Sequence, residues 1–215
     1  MAGSDLSKPI IIIGASGHAK VLIDALKLLT APILGISEQD SATVNSELLG
    51  VAVICKNGEL KKYPPEGVIL VNGVGGVTDT SSRREVFERL KMLGYGFSQV
   101  IHPSAVISAN AVLAEGVQVM AGAVIQAGAR IAENTIINTK TSVDHDCQIG
   151  SHVHLAPGVT VCGNVKIGDS VHVGSGATII QGITVGPHSL IGAGTLVRSN
   201  VPAGATVIGV PGRIT

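Results

Sequence analysis

Aromatic residues are almost missing from this chain: two Tyr, two Phe and no Trp among 215 residues. An ordinary globular core leans on aromatic volume, so their scarcity favours narrow layers filled by Ile, Val, Leu and Ala. Cysteine is sparse as well. Cys55, Cys147 and Cys162 stand far apart with no C-x-x-C pair, which argues against a disulfide framework and against a cysteine zinc site. Neither sign of charge prevails: fifteen Lys and Arg balance fifteen Asp and Glu, and no basic tract marks a surface for nucleic acid or acidic lipid. No apolar run reaches the roughly 18 residues of a membrane span, and no basic segment followed by a long apolar stretch opens the chain. A cytoplasmic protein without nucleic-acid or membrane partners is expected. What the chain does hold is apolar material, 45% of its residues, enough to bury a large interior.

That material is periodic. From Ile101 to Val197 a branched aliphatic residue returns every sixth position, through Ile125, Ile149 and Val173, and four places further on sits a small or branched residue such as Ala105, Ala123 or Val159. Six fits neither a helix nor a plain strand, so it indicates a repeat architecture. Three hexads make one 18-residue turn of a triangular coil, each supplying a short strand and a corner, with room for about five turns. Each turn buries its face only against its neighbours. Gly150, Gly168, Gly174, Gly186 and Gly192, directly after the inward residue, are expected to let the chain bend at small cost. Outward apolar residues such as Met120 and Ile180 point to covered outer faces.

The first hundred residues follow another pattern. Residues 9–13 read as a strand, Gly14 to Lys20 as a glycine turn, and Val21, Leu22, Ala25, Leu26 and Leu29 as the apolar face of a helix. Ile33–Ile36, Val51–Ile54 and Gly67–Val71 supply further strands. Between Asp79 and Leu93 the spacing of Val86, Leu90 and Leu93, with Arg83, Arg84, Glu85, Glu88, Arg89 and Lys91 elsewhere, describes a surface helix. The alternation predicts a small α/β domain with a mainly parallel sheet. No flexible linker separates the two regions, so they are expected to pack as one rigid subunit.

The hexad phase ranks the seven histidines. His145, within Val143-Asp144-His145-Asp146-Cys147, falls at a corner and faces outward. It is either an ordinary exposed histidine or a base, one imidazole nitrogen held by a flanking carboxylate and the other left free. His152, His172 and His188 are expected to be solvated corners, since no metal-ligand spacing joins them. Cys147 is inward and Cys162 follows an inward residue, which argues against a nucleophilic cysteine. Gly14-x-x-Gly17 between strand and helix offers backbone N–H groups to a phosphate, or is simply a tight turn. The full G-x-G-x-x-G is missing, and no clear acidic residue stands some 20 positions on.

The periodic region resembles the hexapeptide-repeat acyltransferases, whose prisms are left-handed parallel β-helices that assemble as trimers. Gly14-Ala15-Ser16-Gly17-His18, the His102-Pro103-Ser104-Ala105 junction, Asn138-Thr139, His145-Asp146-Cys147 and Gly209-Val210-Pro211 extend the resemblance over the whole chain, to the bacterial nucleotide-sugar N-acetyltransferases and sialic acid O-acetyltransferases. The resemblance implies a small Rossmann-like α/β domain over residues 1–100 that binds a nucleotide sugar, then a left-handed β-helix acetyltransferase domain with a C-terminal tail over 101–215. It implies a homotrimer that uses acetyl-CoA and no metal. His145 would be the general base and Asp146 its support; His154, Gly163 and Pro211 would contact acetyl-CoA, with the Gly163 N–H facing the thioester oxygen. Gly14, Ser16, Gly17, His18, Arg83 and Asn138 would contact the nucleotide sugar, and His102 would stand near the cleft. The implied reaction is acetylation of a nucleotide-linked 4-amino-sugar for surface-glycan synthesis. The alternatives are O-acetylation of sialic or another nonulosonic acid and, more distantly, a non-catalytic sugar-binding scaffold. Two departures bear on the acceptor. Relatives often carry adjacent aspartates after the second strand where this chain has Ser37-Glu38-Gln39-Asp40, and the loop from Asn72 to Arg83 is longer than theirs.

Overall fold

The computed structural model describes residues 7–39, 46–76 and 80–215; residues 1–6, residues 40–45 (Asp40 among them) and residues 77–79 lie outside the described residues. The α/β region opens with β1 (Ile10–Ile13), whose four isoleucines are all buried. A strand covered on both faces reads as an unbroken apolar run. It leads into α1 (Gly17–Leu28), β2 (Ile33–Glu38), β3 (Glu47–Leu48), β4 (Val51–Lys56), a 3₁₀ segment (Asn57–Lys62), β5 (Ile69–Asn72) and α2 (Ser81–Met92). The sheet order is β3-β4-β2-β1-β5, parallel except for the two-residue β3, which runs against β4. Neither β3 nor the 3₁₀ segment is predicted from the sequence, because both are too short to show a period.

Two helix faces differ from expectation. In α1 the buried stripe is Ala19, Leu22, Ile23, Ala25 and Leu26, a clean 3.6-residue pattern, while Val21 is exposed. In α2 the buried residues are Arg83, Phe87 and Leu90; Leu93 lies past the helix end and is exposed. The face is turned because Phe87 stacks on Phe97, with ring centroids 4.4 Å apart, and because Arg83 reaches inward to backbone carbonyls described below.

From Val100 to Val197 the chain forms two-residue strands on three parallel faces, pairing residue i with i+18, as in Val124↔Ser142 and Thr178↔Leu196. Within this span the faces hold six, five and six strands, which gives between five and six turns, and the strands Thr206–Ile208 and Arg213–Ile214 extend one face beyond it. Aliphatic residues of both inward rows form one core from Val117 to Val207, each fully buried Val, Leu or Ile contributing about 1.5–3 kcal/mol. All four aromatic residues, Tyr63, Phe87, Tyr95 and Phe97, lie outside this prism.

The corners turn differently from the expected way. Every sixth residue from 116 to 194 has φ between +54° and +77°, and this left-handed residue, three places after the aliphatic one, makes the bend. The glycines directly after the aliphatic residue serve close packing instead. A Cβ on Gly174 would stand 2.5 Å from the Ala193 nitrogen in the next coil.

The α/β region docks on the first prism face, which carries Gln118, Ile136, His154, His172 and Leu190 in its strands. Met120 is covered there, within the core beneath β1 and α1, so its cover comes from this chain's own α/β layer. Ile180 is half-buried.

Candidate active site

Two constellations form on opposite sides of the prism. The first lies at the edge between the second and third faces, opposite the docking face. The strand Ser142–Val143 ends there, and Asp146 takes the left-handed corner at φ 60°. Asp144 Oδ1 accepts the His145 backbone N–H at 2.8 Å, and His145 Nδ1 lies 2.9 Å from Asp146 Oδ2. A carboxylate only accepts, so Nδ1 carries the proton and Nε2 keeps its lone pair. The bond to Asp146 and then the Asp144 charge raise the His145 pKa. Both side chains are more than half exposed. Room for them comes from glycines one coil away: a Cβ on Gly163 would come within 2.5 Å of His145 Nε2, and one on Gly128 would strike the Asp146 carboxylate. The structure therefore brings His145, Asp146 and Gly163 together. Cys147 is buried, with Sγ 3.1 Å from the Cys162 carbonyl oxygen.

The second constellation is the seam between the α/β region and the first prism face. Gly14 has φ 93°, and a Cβ there would press on Val74 at 3.3 Å. Ser16 Oγ donates to the Gly73 carbonyl at 2.9 Å, while a Cβ on Gly17 would meet open space. The first turn of α1 has no acidic residue and Ser16 makes no side-chain cap, so the first N–H groups of the helix face the opening. Contrary to expectation, an acidic residue does serve this loop: Glu38, the last residue of β2, accepts the Ala15 N–H on Oε2.

His18 reaches across the seam, its Nε2 lying 2.7 Å from Gln118 Oε1. Gln118 Nε2 donates to the Asn72 carbonyl, which fixes the amide and makes His18 the donor. Burial, then the Arg83 charge, lower the His18 pKa to about 4. His154 stands in the strand facing the seam. Thr139 N–H donates to Asn138 Oδ1, so Asn138 Nδ2 points at His154 Nε2, 3.1 Å away, and the His154 proton sits on Nδ1. Among the described residues that Nδ1 is buried with no hydrogen bond of ordinary geometry, the Gly76 backbone being the group that acts on the ring. Burial first, then His172, His18 and Arg83, lower its pKa to about 3. Beside it runs a groove of about 380 Å³ walled by small residues such as Ala156, Gly174, Gly192 and Ala193.

Several expectations are corrected here. His152 and His172 are buried rather than solvated. His172 is a strand residue whose ring stands edge-on to His154 at 5.0 Å, and His152 Nδ1 accepts from Asn134 Nδ2 at 2.9 Å. His188 is exposed as expected. Arg83 is fully buried: Nη1 donates to the Asn72 and Val74 carbonyls and Nε to that of Asn134. It latches the two regions together instead of lying open to a phosphate, and burial lowers its pKa to about 9. His102 Nδ1 accepts the Ser104 N–H within its own turn. Pro211 is exposed between the last two strands, Thr206–Ile208 and Arg213–Ile214. Among the described residues no cluster of three or more His, Cys, Asp or Glu could hold a metal ion. Glu38, Asn72, Gln118 and Asn134 are the polar seam residues that sequence reasoning missed. Glu38's place at the end of an apolar strand was a usable signal; the other three show none.

Residues 9–90 match the family model described as the PglD N-terminal domain, and residues 128–163 and 164–199 each match that of the bacterial transferase hexapeptide (six repeats). The acetyltransferase domain of PglB from Neisseria gonorrhoeae, in complex with acetyl coenzyme A, is 34% identical over 97% of this chain and 99% of its own, with a TM-score of 0.89. The chain belongs to the hexapeptide-repeat acetyltransferases. A mutant of GDP-perosamine N-acetyl transferase from Caulobacter crescentus, in complex with CoA and GDP-perosamine, matches at 34% identity over 96% of each chain, with the same TM-score. WeeI from Acinetobacter baumannii follows at 25% identity, 97% and 100% coverage and a TM-score of 0.83. The family's prism is a left-handed parallel β-helix, the fold of the hexads here. Among the described residues no helix is long and apolar enough to cross a membrane.

Proposed function

We propose that this chain transfers the acetyl group of acetyl-CoA to the amino group of a nucleotide-linked 4-amino-sugar, with His145 as general base. The observation that carries the proposal is the His145 geometry: Nδ1 tied to Asp146, Nε2 unprotonated and directed at the space that Gly163 leaves open. The acetyl-CoA complex of the PglB domain and the GDP-perosamine complex of the perosamine enzyme support the choice of substrates.

An amine attacks a thioester only when neutral. In the proposed step Nε2 takes a proton from the amine as the N–C bond forms; the C–S bond then breaks, and the His145 imidazolium gives that proton to the departing sulfur, so CoA leaves as the thiol and His145 is again a base. The Gly163 N–H is proposed to stabilise the developing oxyanion. No acyl-enzyme is needed, because the thioester is already activated. The small-residue groove beside His154 suits an extended pantetheine arm, and the protonated His154 Nδ1 would donate to one of its carbonyls. Pro211 would meet the outer part of CoA. Gly14, Ser16, Gly17 and His18 would receive the nucleotide diphosphate, with Asn138 nearer the sugar. The α/β region up to about residue 100 thus serves the nucleotide sugar, and the prism serves CoA and chemistry.

Because His145 lies at the prism edge opposite the docking face, one chain does not place its base beside its own nucleotide cleft. The proposal therefore includes a homotrimer in which the edge of one copy faces the seam of the next. A cytoplasmic location follows from the two proposed substrates, both cytoplasmic metabolites, and surface-glycan synthesis is the proposed use.

The test is an acceptor panel with acetyl-CoA and detection of free thiol. UDP-, dTDP- and GDP-linked 4-amino-sugars are run beside free and CMP-linked sialic acids. Turnover confined to amino-sugars is expected; turnover only with sialic acids would replace the proposal by O-acetylation, and thiol release with none would end it.

A further inference from the structure

We propose that Gln118 is a positioning residue for the nucleotide sugar: from the prism it fixes the ring of His18, and through that ring the turn between β1 and α1 that receives the diphosphate. The proposal rests on the nucleotide-sugar reading above and deepens it.

Gln118 stands on the docking face in register with Val100 on one side and Ile136 on the other, and all three are buried. An aliphatic side chain would fill this place in the seam, so packing alone does not call for an amide. What an amide adds is an acceptor and a donor on one rigid group. Both are in use: Oε1 accepts from His18 Nε2 at 2.7 Å, and Nε2 donates to the Asn72 carbonyl at 2.8 Å. Asn72 is held in turn. Its Nδ2 donates to the Arg83 carbonyl and to Asn134 Oδ1, and its carbonyl also accepts from Arg83 Nη1. The Gln118 amide therefore has one orientation, because a flip would set its oxygen against the Asn72 carbonyl and leave two buried acceptors in contact.

The consequence lies at the start of α1. His18 is the second residue of that helix; Ser16 before it makes no side-chain cap and bonds to Gly73 within the α/β region, and a Cβ on Gly17 would meet open space. His18 thus carries the turn's bond to the prism, and Gln118 decides where the ring sits and which nitrogen holds its proton. The charged and titratable groups that face the ring are Arg83 of α2 and His154 of the prism. Both are bases, so the ring gains no countercharge from them. Burial, then Arg83, keep it neutral, and the turn meets the diphosphate with backbone N–H groups instead of an imidazolium.

The experiment is isothermal titration of the full chain and two variants with UDP, dTDP and GDP, and separately with CoA, beside nitrogen NMR of the histidine rings. In the wild type the His18 proton is expected on Nε2. Gln118→Leu fills the same space and removes both bonds. Its nucleotide affinity is expected to fall about ten-fold, the worth of one hydrogen bond, and its His18 ring to lose the single proton position, while CoA affinity holds. Gln118→Glu keeps the acceptor and sets a carboxylate beside the ring, which favours the imidazolium. Its nucleotide affinity is read relative to the wild type at each pH, a ratio in which the ionisation of the phosphate itself cancels. That ratio is expected to climb as pH falls from about 8 to about 6 and His18 becomes a cation. A wild-type proton on Nδ1, a flat ratio for Gln118→Glu, or a Gln118→Leu protein that binds nucleotide undiminished or loses nucleotide and CoA alike would each overturn the proposal while leaving the nucleotide-sugar reading intact. Failure of the wild type to bind any of the three nucleotides would instead sink that reading, and this proposal with it.

Discussion

His145 works as a base only while Nε2 is unprotonated, and both flanking carboxylates raise its pKa above the ordinary 6.5. The log of kcat/KM should therefore climb with pH through an inflection above 6.5 and then level. Asp146→Asn removes the largest raising cause, so the inflection should move to lower pH while kcat falls as the ring loses its orientation. Rate profiles of the two proteins check this; coincident profiles would mean that Asp146 neither holds nor tunes the ring. The outward position of His145 was legible in the sequence because hexad phase alone sets direction. The bonds of His18 to Gln118 and of Arg83 to Asn134 were not, since each reaches a residue tens of positions away across a seam with no period of its own. Burial of His152 and His172 was misread for the same reason: a corner or strand residue of the prism is solvated only where nothing docks on it.

Among elements, the hexad repeat was the most legible, since its inward rows, its 18-residue register and its lack of aromatics all follow from one period. The division of labour between glycines did not follow. Sequence shows glycine mainly at two phases of the hexad, one and three places after the aliphatic residue, but not which phase bends and which packs. The coil separates them by substitution. Gly174→Ala drives a Cβ against backbone in the next turn and should destabilise the prism by about 1–3 kcal/mol. Gly176→Asn, at a left-handed corner with open space around it, should be almost neutral, because Asn134 and Asn164 already stand at the same phase. Thermal or denaturant melts of the two variants check the contrast, and equal losses would contradict it. In the α/β region the four main strands and both helices were legible from apolar runs and helical spacing. The buried face of α2 was not, because an arginine lies on it.

At the scale of the whole molecule, the two regions meet through histidines kept neutral and an arginine whose charge is tied to carbonyls. His18 and His154 titrate near 4 and 3 when folded and near 6.5 when unfolded, so the unfolded chain binds more protons between those values. Their neutral burial leaves stability intact above about pH 6.5, and stability is lost as pH falls toward 4. Melts from pH 8 to 4.5 should show Tm dropping in that window by about 2–4 °C per kcal/mol lost, with a shallower drop in the His18→Asn, His154→Asn double variant. An unchanged slope would place the acid-sensitive groups elsewhere. The same seam holds the nucleotide cleft while His145 stands at the opposite prism edge, so the proposed chemistry joins surfaces of neighbouring copies. The most direct measurement of that chemistry is the turnover of His145→Ala with both substrates saturating, alongside its affinity for acetyl-CoA. A loss in kcat of about 10²–10⁴-fold with CoA affinity nearly unchanged is expected; an undiminished kcat would contradict the role given to His145.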